Sequence, residues 1–301
     1  MASMFLIVGG DSEIGAATHL ALKRSGVAVL TTTRRLDQVR PERPLLDLAG
    51  PLDAWEPPPE TRSVCICAAV ARLAACAADP AGSARINVVQ TLALIERLTA
   101  RGIHVLFLST NQVFDGCTPN LAADAPYSPV SEYGRQKAFV ETVLRAQMAH
   151  GALIAILRLA KVVSVHMPLF AGWIRDLSMG KMIRAFHDMT LAPTPTDLVC
   201  MAIVALLQDQ ASGIFQLTGP RDVTYAEAAR YIASNIGAEA ALVREASALE
   251  AGLPVGATPS HTTLDSSALH QRYGISPPDV WEVLERNVGA AKRKLQSQCE
   301  M

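Results

Sequence analysis

Short runs of uninterrupted apolar residues alternate with longer amphipathic stretches through the first half of the chain. Runs at 4–8, 27–33, 63–69 and 103–109 are apolar at nearly every position, while 12–25 and 83–100 carry apolar residues at helical spacing. Strands covered on both faces read as continuous apolar runs, so Val64 to Ala69 and Val105 to Leu108 fit a parallel sheet. A further short strand is expected at 45–48. The stretch Trp55-Glu56-Pro57-Pro58-Pro59-Glu60 then reads as a surface loop, because proline can neither donate to a ladder nor continue a helix. This alternation predicts βαβ units and hence an α/β fold built on a Rossmann-type, doubly wound parallel sheet.

Beyond residue 160 the rhythm changes. Pro168, Gly172, Gly180, Pro193 and Pro195 interrupt the pattern before a helix at 197–208, and further helices are expected near 224–236 and 278–296. The division this predicts is a dinucleotide-binding domain over 1–160 and a smaller C-terminal substrate-binding lobe over 161–301. The helix near 197–208 is expected to return to the first domain.

Composition narrows the class. Half of the 301 residues are hydrophobic (50%) and only 18% are charged, which excludes disorder. With 27 Lys+Arg against 28 Asp+Glu the net charge is −1, so there is no basic footprint for nucleic acid or an acidic membrane surface. No stretch reaches the ~18 apolar residues of a membrane span, and Met4-Phe5-Leu6-Ile7-Val8 is too short for a signal-sequence core, so a cytoplasmic location is expected. The six cysteines (Cys65, Cys67, Cys76, Cys117, Cys200 and Cys299) contain no CxxC pair. They read as buried, reduced thiols rather than metal ligands.

The candidate chemistry begins directly after the first apolar run. Gly9-Gly10-Asp11-Ser12-Glu13-Ile14-Gly15 leads from that strand into an amphipathic helix. A turn in this place sets backbone N–H groups and a helix N-terminus against a pyrophosphate, and its glycines let the main chain come close. The middle glycine of the dinucleotide fingerprints is absent, with Ser12 or Glu13 in its place. At the end of the second strand, Thr33, Arg34 and Arg35 stand where an acidic residue would bind the adenosine ribose. Guanidinium groups suit a 2′-phosphate, which favours NADPH over NADH.

Ser109 and Thr110 close the strand at 103–109, at the carboxyl edge where α/β folds place ligands. Tyr133 and Lys137 lie one helical turn apart on one face of a helix through about Ala149. A phenol needs a neighbouring cation to act as an acid–base group near neutrality, and Lys137 supplies one. A hydroxyl that polarises a substrate carbonyl completes the set, and Thr110 is chosen over Ser109.

Read together, Ser109-Thr110-Asn111-Gln112-Val113-Phe114-Asp115-Gly116 and Tyr133-Gly134-Arg135-Gln136-Lys137 resemble the STDYVFDG and YGxxK motifs of the dTDP-4-dehydrorhamnose reductase family of extended short-chain dehydrogenases. The resemblance continues at Asn87, Arg158-Leu159, Pro193 to Leu198, Gly213 to Gly219 and Thr263 to Ser267. It implies a reductase acting on a 4-keto nucleotide-activated deoxysugar, with Thr110, Tyr133 and Lys137 as the catalytic trio. It also implies that Lys137 holds the nicotinamide ribose, that Asp47 and Leu48 lie beside the adenine, and that Ala68, Ala69 and Asn87 belong to the cofactor site.

Asn111 and Gln112 replace an acidic and an aromatic residue of the family pattern and are expected on the substrate side, with Arg184 as a pyrophosphate contact alongside Arg175 and Lys181. His166 and His187 fall in the same lobe. The apolar positions Phe139, Val140 and Leu144 fit a homodimer face and core packing equally well. Two other activities fit the same motifs: a nucleotide-sugar epimerase or dehydratase that retains its cofactor, and a non-catalytic NADP-binding regulatory subunit.

Overall fold

A computed structural model describes residues 4–165, 167–253 and 258–299, with backbone alone over 294–299. His166 and the side chain of Cys299 lie outside these. The first part of the chain runs β1 (Met4–Val8), α1 (Glu13–Arg24), β2 (Val29–Thr31), β3 (Thr61–Ile66), α2 (Leu73–Ala78), α3 (Pro80–Ala84), α4 (Thr91–Thr99), β4 (His104–Thr110), α5 (Glu132–Ala149) and β5 (Ile154–Leu159). There follow β6 (Val162–Val163), α6 (Pro168–Ser178), β7 (Ile183–Phe186), β8 (Thr190–Leu191), β9 (Thr194–Pro195) and α7 (Thr196–Gln208). The chain ends with β10 (Gly213–Leu217), β11 (Val223–Thr224), α8 (Tyr225–Ile236), β12 (Val243–Ala246), α9 (Ser267–Tyr273) and α10 (Val280–Cys299).

Six strands form one sheet in the order β10-β5-β4-β3-β1-β2, with every neighbouring pair parallel. The chain order steps outward from β1 to β2 and then back across to β3, β4 and β5. The carboxyl ends of β1 and β3 therefore flank a crevice, the place where such sheets bind ligands. All seven residues of β4 are buried, as its apolar run requires. One face of the sheet packs Ile7, Leu106 and Leu157 against Leu22 of α1 and Ile203 and Leu207 of α7. The other packs Val64, Phe107 and Ile156 against Leu94 and Leu98 of α4 and Val140 and Leu144 of α5. A separate core joins α6, α8 and α10 through Phe170, Trp173, Ile174, Ile232 and Leu284.

Three expectations are corrected. Residues 45–48 form no strand: Leu45 makes an isolated bridge to Thr33, because Pro44 has no N–H to continue the ladder. The helix expected at 83–100 begins at Pro80, where Asp79 caps the Gly82 amide, and passes through a π-helical turn at Arg85–Gln90 before α4. Cys117 is exposed and Cys67 half-buried, so burial holds for Cys65, Cys76 and Cys200; all five are free thiols. Among the described residues no helix is long and apolar enough to cross a membrane.

Candidate active site

The Gly-rich turn is built by side chains that replace the missing glycine. Ser12 is the N-cap of α1: its Oγ accepts from the Gly15 amide at 3.0 Å and donates to the Gly9 carbonyl at 2.8 Å. This leaves the amides of Glu13 and Ile14, the first of the helix, without an intrahelical acceptor. Gly15 has no room for a side chain, since a Cβ there would lie 2.4 Å from the Gly9 carbonyl oxygen. Gly9 sits at φ +89° against the backbone of Ala68, which joins the turn to the end of β3.

A cleft of about 250 Å³ opens over this turn, lined by Gly9, Asp11, Ser12, Arg34, Arg35, Asp47, Leu48, Ala68 and Ala69 among others. Asp11 would place a carboxylate where an anion is expected, yet it is fully engaged. It accepts from Thr33 Oγ1 at 3.0 Å and the Arg34 amide at 3.3 Å, and pairs with Arg43. Burial pushes the Asp11 carboxyl up, but these three donors outweigh it and hold the group below its usual range. Arg34 and Arg35 are exposed, and their guanidinium groups have no hydrogen-bond or ion-pair partner among the described residues. Two free cations beside a neutralised carboxylate, with helix-end amides nearby, fit a phosphate-bearing dinucleotide.

Not every expected cofactor residue reaches this cleft. Gly10 packs against Thr31, Thr33 is spent on Asp11, and Glu13 lies exposed on α1 outside the lining. Asn87 is buried and structural: its side chain exchanges hydrogen bonds with the backbone of Val70 and donates to Gln136 Oε1 at 2.8 Å. Ile14, Ala69 and Lys137 line an adjoining cleft of about 420 Å³, which shares Cys67 and Ala69 with the first.

Thr110, Asn111, Gln112 and Tyr133 also line that second cleft. Ser131 caps α5 through the Gly134 amide at 3.0 Å, and Gly134 lets the helix end press on the carbonyl of Gln112, where a Cβ would come within 2.1 Å. The half-buried Tyr133 has no hydrogen-bond partner for its hydroxyl among the described residues. Burial pushes its phenol well above the ordinary range, and the nearby Cys76 adds to the rise. Lys137 is buried, donates from Nζ to the Leu108 carbonyl at 2.8 Å and lies 4.1 Å from the centre of the Phe107 ring. Burial pushes its ammonium down to about 8, against the opposing charge of Glu141.

The two hydroxyls at the end of β4 are distinguished by their partners. Ser109 donates to the buried Glu141, whereas Thr110 accepts from the Gln112 amide at 3.2 Å and donates only weakly, at 3.4 Å, to Asn111. Thr110 therefore keeps a proton to offer. Glu141 is itself held by Arg158 Nη2 at 2.6 Å and Tyr127 at 3.0 Å, and Arg158 reaches on to Gln216 at 3.0 Å. The far wall comes from the C-terminal half: Met189, Thr190, Tyr225, Pro259 and Thr262, the last anchored by Asp222 at 2.6 Å through its amide. Arg184 and His187 are exposed and are not among the lining residues.

A family described as the RmlD substrate binding domain matches residues 3–292. The chain belongs to this family. Among its relatives, a probable low-salt glycan biosynthesis reductase of Haloferax volcanii is 29% identical over 70% of this chain and 72% of that protein. A dTDP-4-dehydrorhamnose reductase of Sinorhizobium fredii is 28% identical over 70% of this chain and 73% of its own length. The fold matches that of a dTDP-4-dehydrorhamnose reductase of Clostridium acetobutylicum, with a TM-score of 0.80 at 20% identity, covering 96% of this chain and 99% of the other. It likewise matches a Bacillus anthracis enzyme of the same name solved with NADP, with a TM-score of 0.78 at 18% identity over 95% and 98% of the two chains. The fold expected from the alternation of apolar runs is the one found.

Sequence reasoning did not find the supporting shell of Gln136, Glu141 and Tyr127, nor Lys161 in the cleft. Glu141 stands one further turn along the helix from Lys137, and that spacing was its signal. The others depend on which loops meet in space.

Proposed function

We propose that this chain is an NADPH-dependent reductase of a 4-keto nucleotide-activated deoxysugar, with residues 1–160 holding the cofactor and 161–301 most of the sugar nucleotide. The observation that carries this reading is the convergence of Thr110, Tyr133 and Lys137 on a cleft that adjoins the one lined by Arg34 and Arg35. A reduced nicotinamide dinucleotide held by the residues of these two clefts would supply the hydride. Thr110 donates a hydrogen bond to the substrate carbonyl and orients it. Tyr133, whose half-buried phenol is held above its ordinary range and so keeps its proton, gives that proton to the carbonyl oxygen as negative charge builds there. The Lys137 ammonium stabilises the phenolate left behind, and Lys137 would also hold the nicotinamide ribose. Gly9, Asp11, Ser12, Asp47, Leu48, Ala68 and Ala69 shape the dinucleotide cleft, and Asn111 and Gln112 face the sugar.

The direct test mixes the purified chain with NADPH and dTDP-4-keto-6-deoxyglucose-type sugars and follows loss of absorbance of the reduced cofactor. Stoichiometric consumption is expected; product without consumption identifies an epimerase or dehydratase instead. Tyr133→Phe should fold and bind NADPH while losing roughly 10²–10⁴ in turnover, the range for a general acid. Turnover unchanged in that variant removes the proton-donor role. The reading includes a cytoplasmic location and a homodimer through the face of α5 that exposes Phe139, since Val140 and Leu144 are spent on the sheet core. Light scattering of wild type against Phe139→Glu reads the dimer.

A further inference from the structure

The catalytic cleft contains a second cation that the proposed mechanism does not use. Lys161 follows β5 and lines the cleft together with Thr110, Tyr133 and Lys137, and no Asp or Glu is among the lining residues. The ammonium of Lys137 is committed to the Leu108 carbonyl and the Phe107 ring. That of Lys161 has no hydrogen bond or ion pair among the described residues, although its backbone is pinned by the Thr194 amide donating to its carbonyl at 2.9 Å. The residue is exposed, and the opposing charge felt at its ammonium is that of Glu13 in the first turn of α1. Lys161 thus lines the same cleft as Thr110, Tyr133, Lys137 and Ile14, the last in the first turn of the helix whose end amides favour anions.

Lys161 is exposed to this cleft with no protein acceptor among the described residues and no lining carboxylate, so its ammonium is open to an anionic ligand, and an ammonium suits a phosphate as a compact point charge. We propose that Lys161 is an oxyanion-binding residue of this cleft that holds a phosphate of the bound nucleotide. The phosphate belongs either to the sugar-carrying nucleoside diphosphate or to the dinucleotide cofactor. The proposal rests on the reductase reading for its ligands and on Lys161 alone for its site.

The test measures binding, so that it does not depend on turnover. Dissociation constants for deoxythymidine diphosphate and for NADPH are determined by calorimetry on the full chain for wild type, Lys161→Gln and Lys161→Arg. Lys161→Gln is expected to weaken one of them by about 10-fold or more, the scale of one charge-assisted hydrogen bond, and Lys161→Arg to restore most of it. Weakening confined to deoxythymidine diphosphate assigns the phosphate to the substrate; weakening confined to NADPH assigns it to the cofactor. Raising salt should narrow the gap between wild type and Lys161→Gln. Both constants unmoved in Lys161→Gln overturns the proposal and leaves the reductase reading intact. A wild-type chain that binds neither ligand overturns both, and one that binds both without reducing a keto-sugar overturns the reading alone.

Discussion

Lys137 is held in a state that costs stability. Its ammonium is almost wholly removed from water and titrates at about 8 in the folded chain, against about 10.4 for a free lysine. The folded-state value is the lower one, so between these pH values the unfolded chain holds a proton that the folded chain has released. Stability contributed by this group therefore rises as pH climbs from about 8 toward 10, and at neutrality the buried charge opposes folding by about 3 kcal/mol. Lys137→Met should accordingly unfold at higher denaturant at pH 7 than wild type while losing reductase turnover; a variant that is less stable at pH 7 contradicts the account. The same titration predicts that kcat/KM falls above pH 8 as the ammonium is lost and that this alkaline limb is missing from what activity Lys137→Arg retains. Tyr133 is not the titrating group there, since burial carries its phenol well above that window.

At the scale of elements, the site is the junction of β4 with the N-terminus of α5, and two contacts fix it. Gly134 allows the helix end to touch the Gln112 carbonyl; a Cβ would lie 2.1 Å from that oxygen and 3.0 Å from the Ser131 cap. Gly134→Ala should cost about 1–3 kcal/mol in urea unfolding and, by displacing Tyr133 from Thr110, about 10²-fold in kcat/KM. A loss of stability without loss of rate excludes the positioning role. Behind the junction, Glu141 and Arg158 form an ion pair whose side chains are 0% exposed, with Ser109 and Tyr127 also donating to the carboxylate. Glu141→Gln should destabilise by about 3–5 kcal/mol because it leaves the Arg158 guanidinium buried without a counter-charge. The double variant Glu141→Gln/Arg158→Met should lose less than the sum of the singles, which a double-mutant cycle measures. That Thr110, Tyr133 and Lys137 would line one cleft was legible because a helix face and a strand end are local. Glu141 carried a signal in its spacing from Lys137, but its role was not legible, because that is set by Arg158, which reaches it only once β5 has paired with β4. Asn87 was misplaced for the same reason: its sequence neighbours fit a cofactor site, while its amide ties the π-helical turn to Val70 and Gln136.

For the molecule as a whole, the parallel sheet was legible because buried strands print continuous apolar runs. The missing strand at 45–48 was not, since an edge segment with Pro44 resembles a strand in hydropathy alone. The wall formed by Met189, Tyr225, Pro259 and Thr262 was equally hidden, being drawn from three separate segments. What joins the two halves is the pair of adjoining clefts, and a ligand spanning them should stabilise the folded chain in proportion to how tightly it is held. NADPH at 100 times its Kd would add about 2.7 kcal/mol, and for a chain of this size each kcal/mol is about 2–4 °C in Tm, so a rise of roughly 5–10 °C is expected. NADH lacks the phosphate that Arg34 and Arg35 are free to receive, and at equal concentration should raise Tm by a small fraction of that. Arg34→Ala/Arg35→Ala should leave the Tm without ligand nearly unchanged, because both side chains are exposed and make no ion pair among the described residues. It should bring the NADPH shift down to the NADH shift while leaving the NADH shift in place. Equal shifts for the two cofactors in the wild-type chain would show that these arginines do not read the 2′-phosphate. In that case the dinucleotide is held by the Gly9 to Gly15 turn and the helix end, which contact only what the two cofactors share.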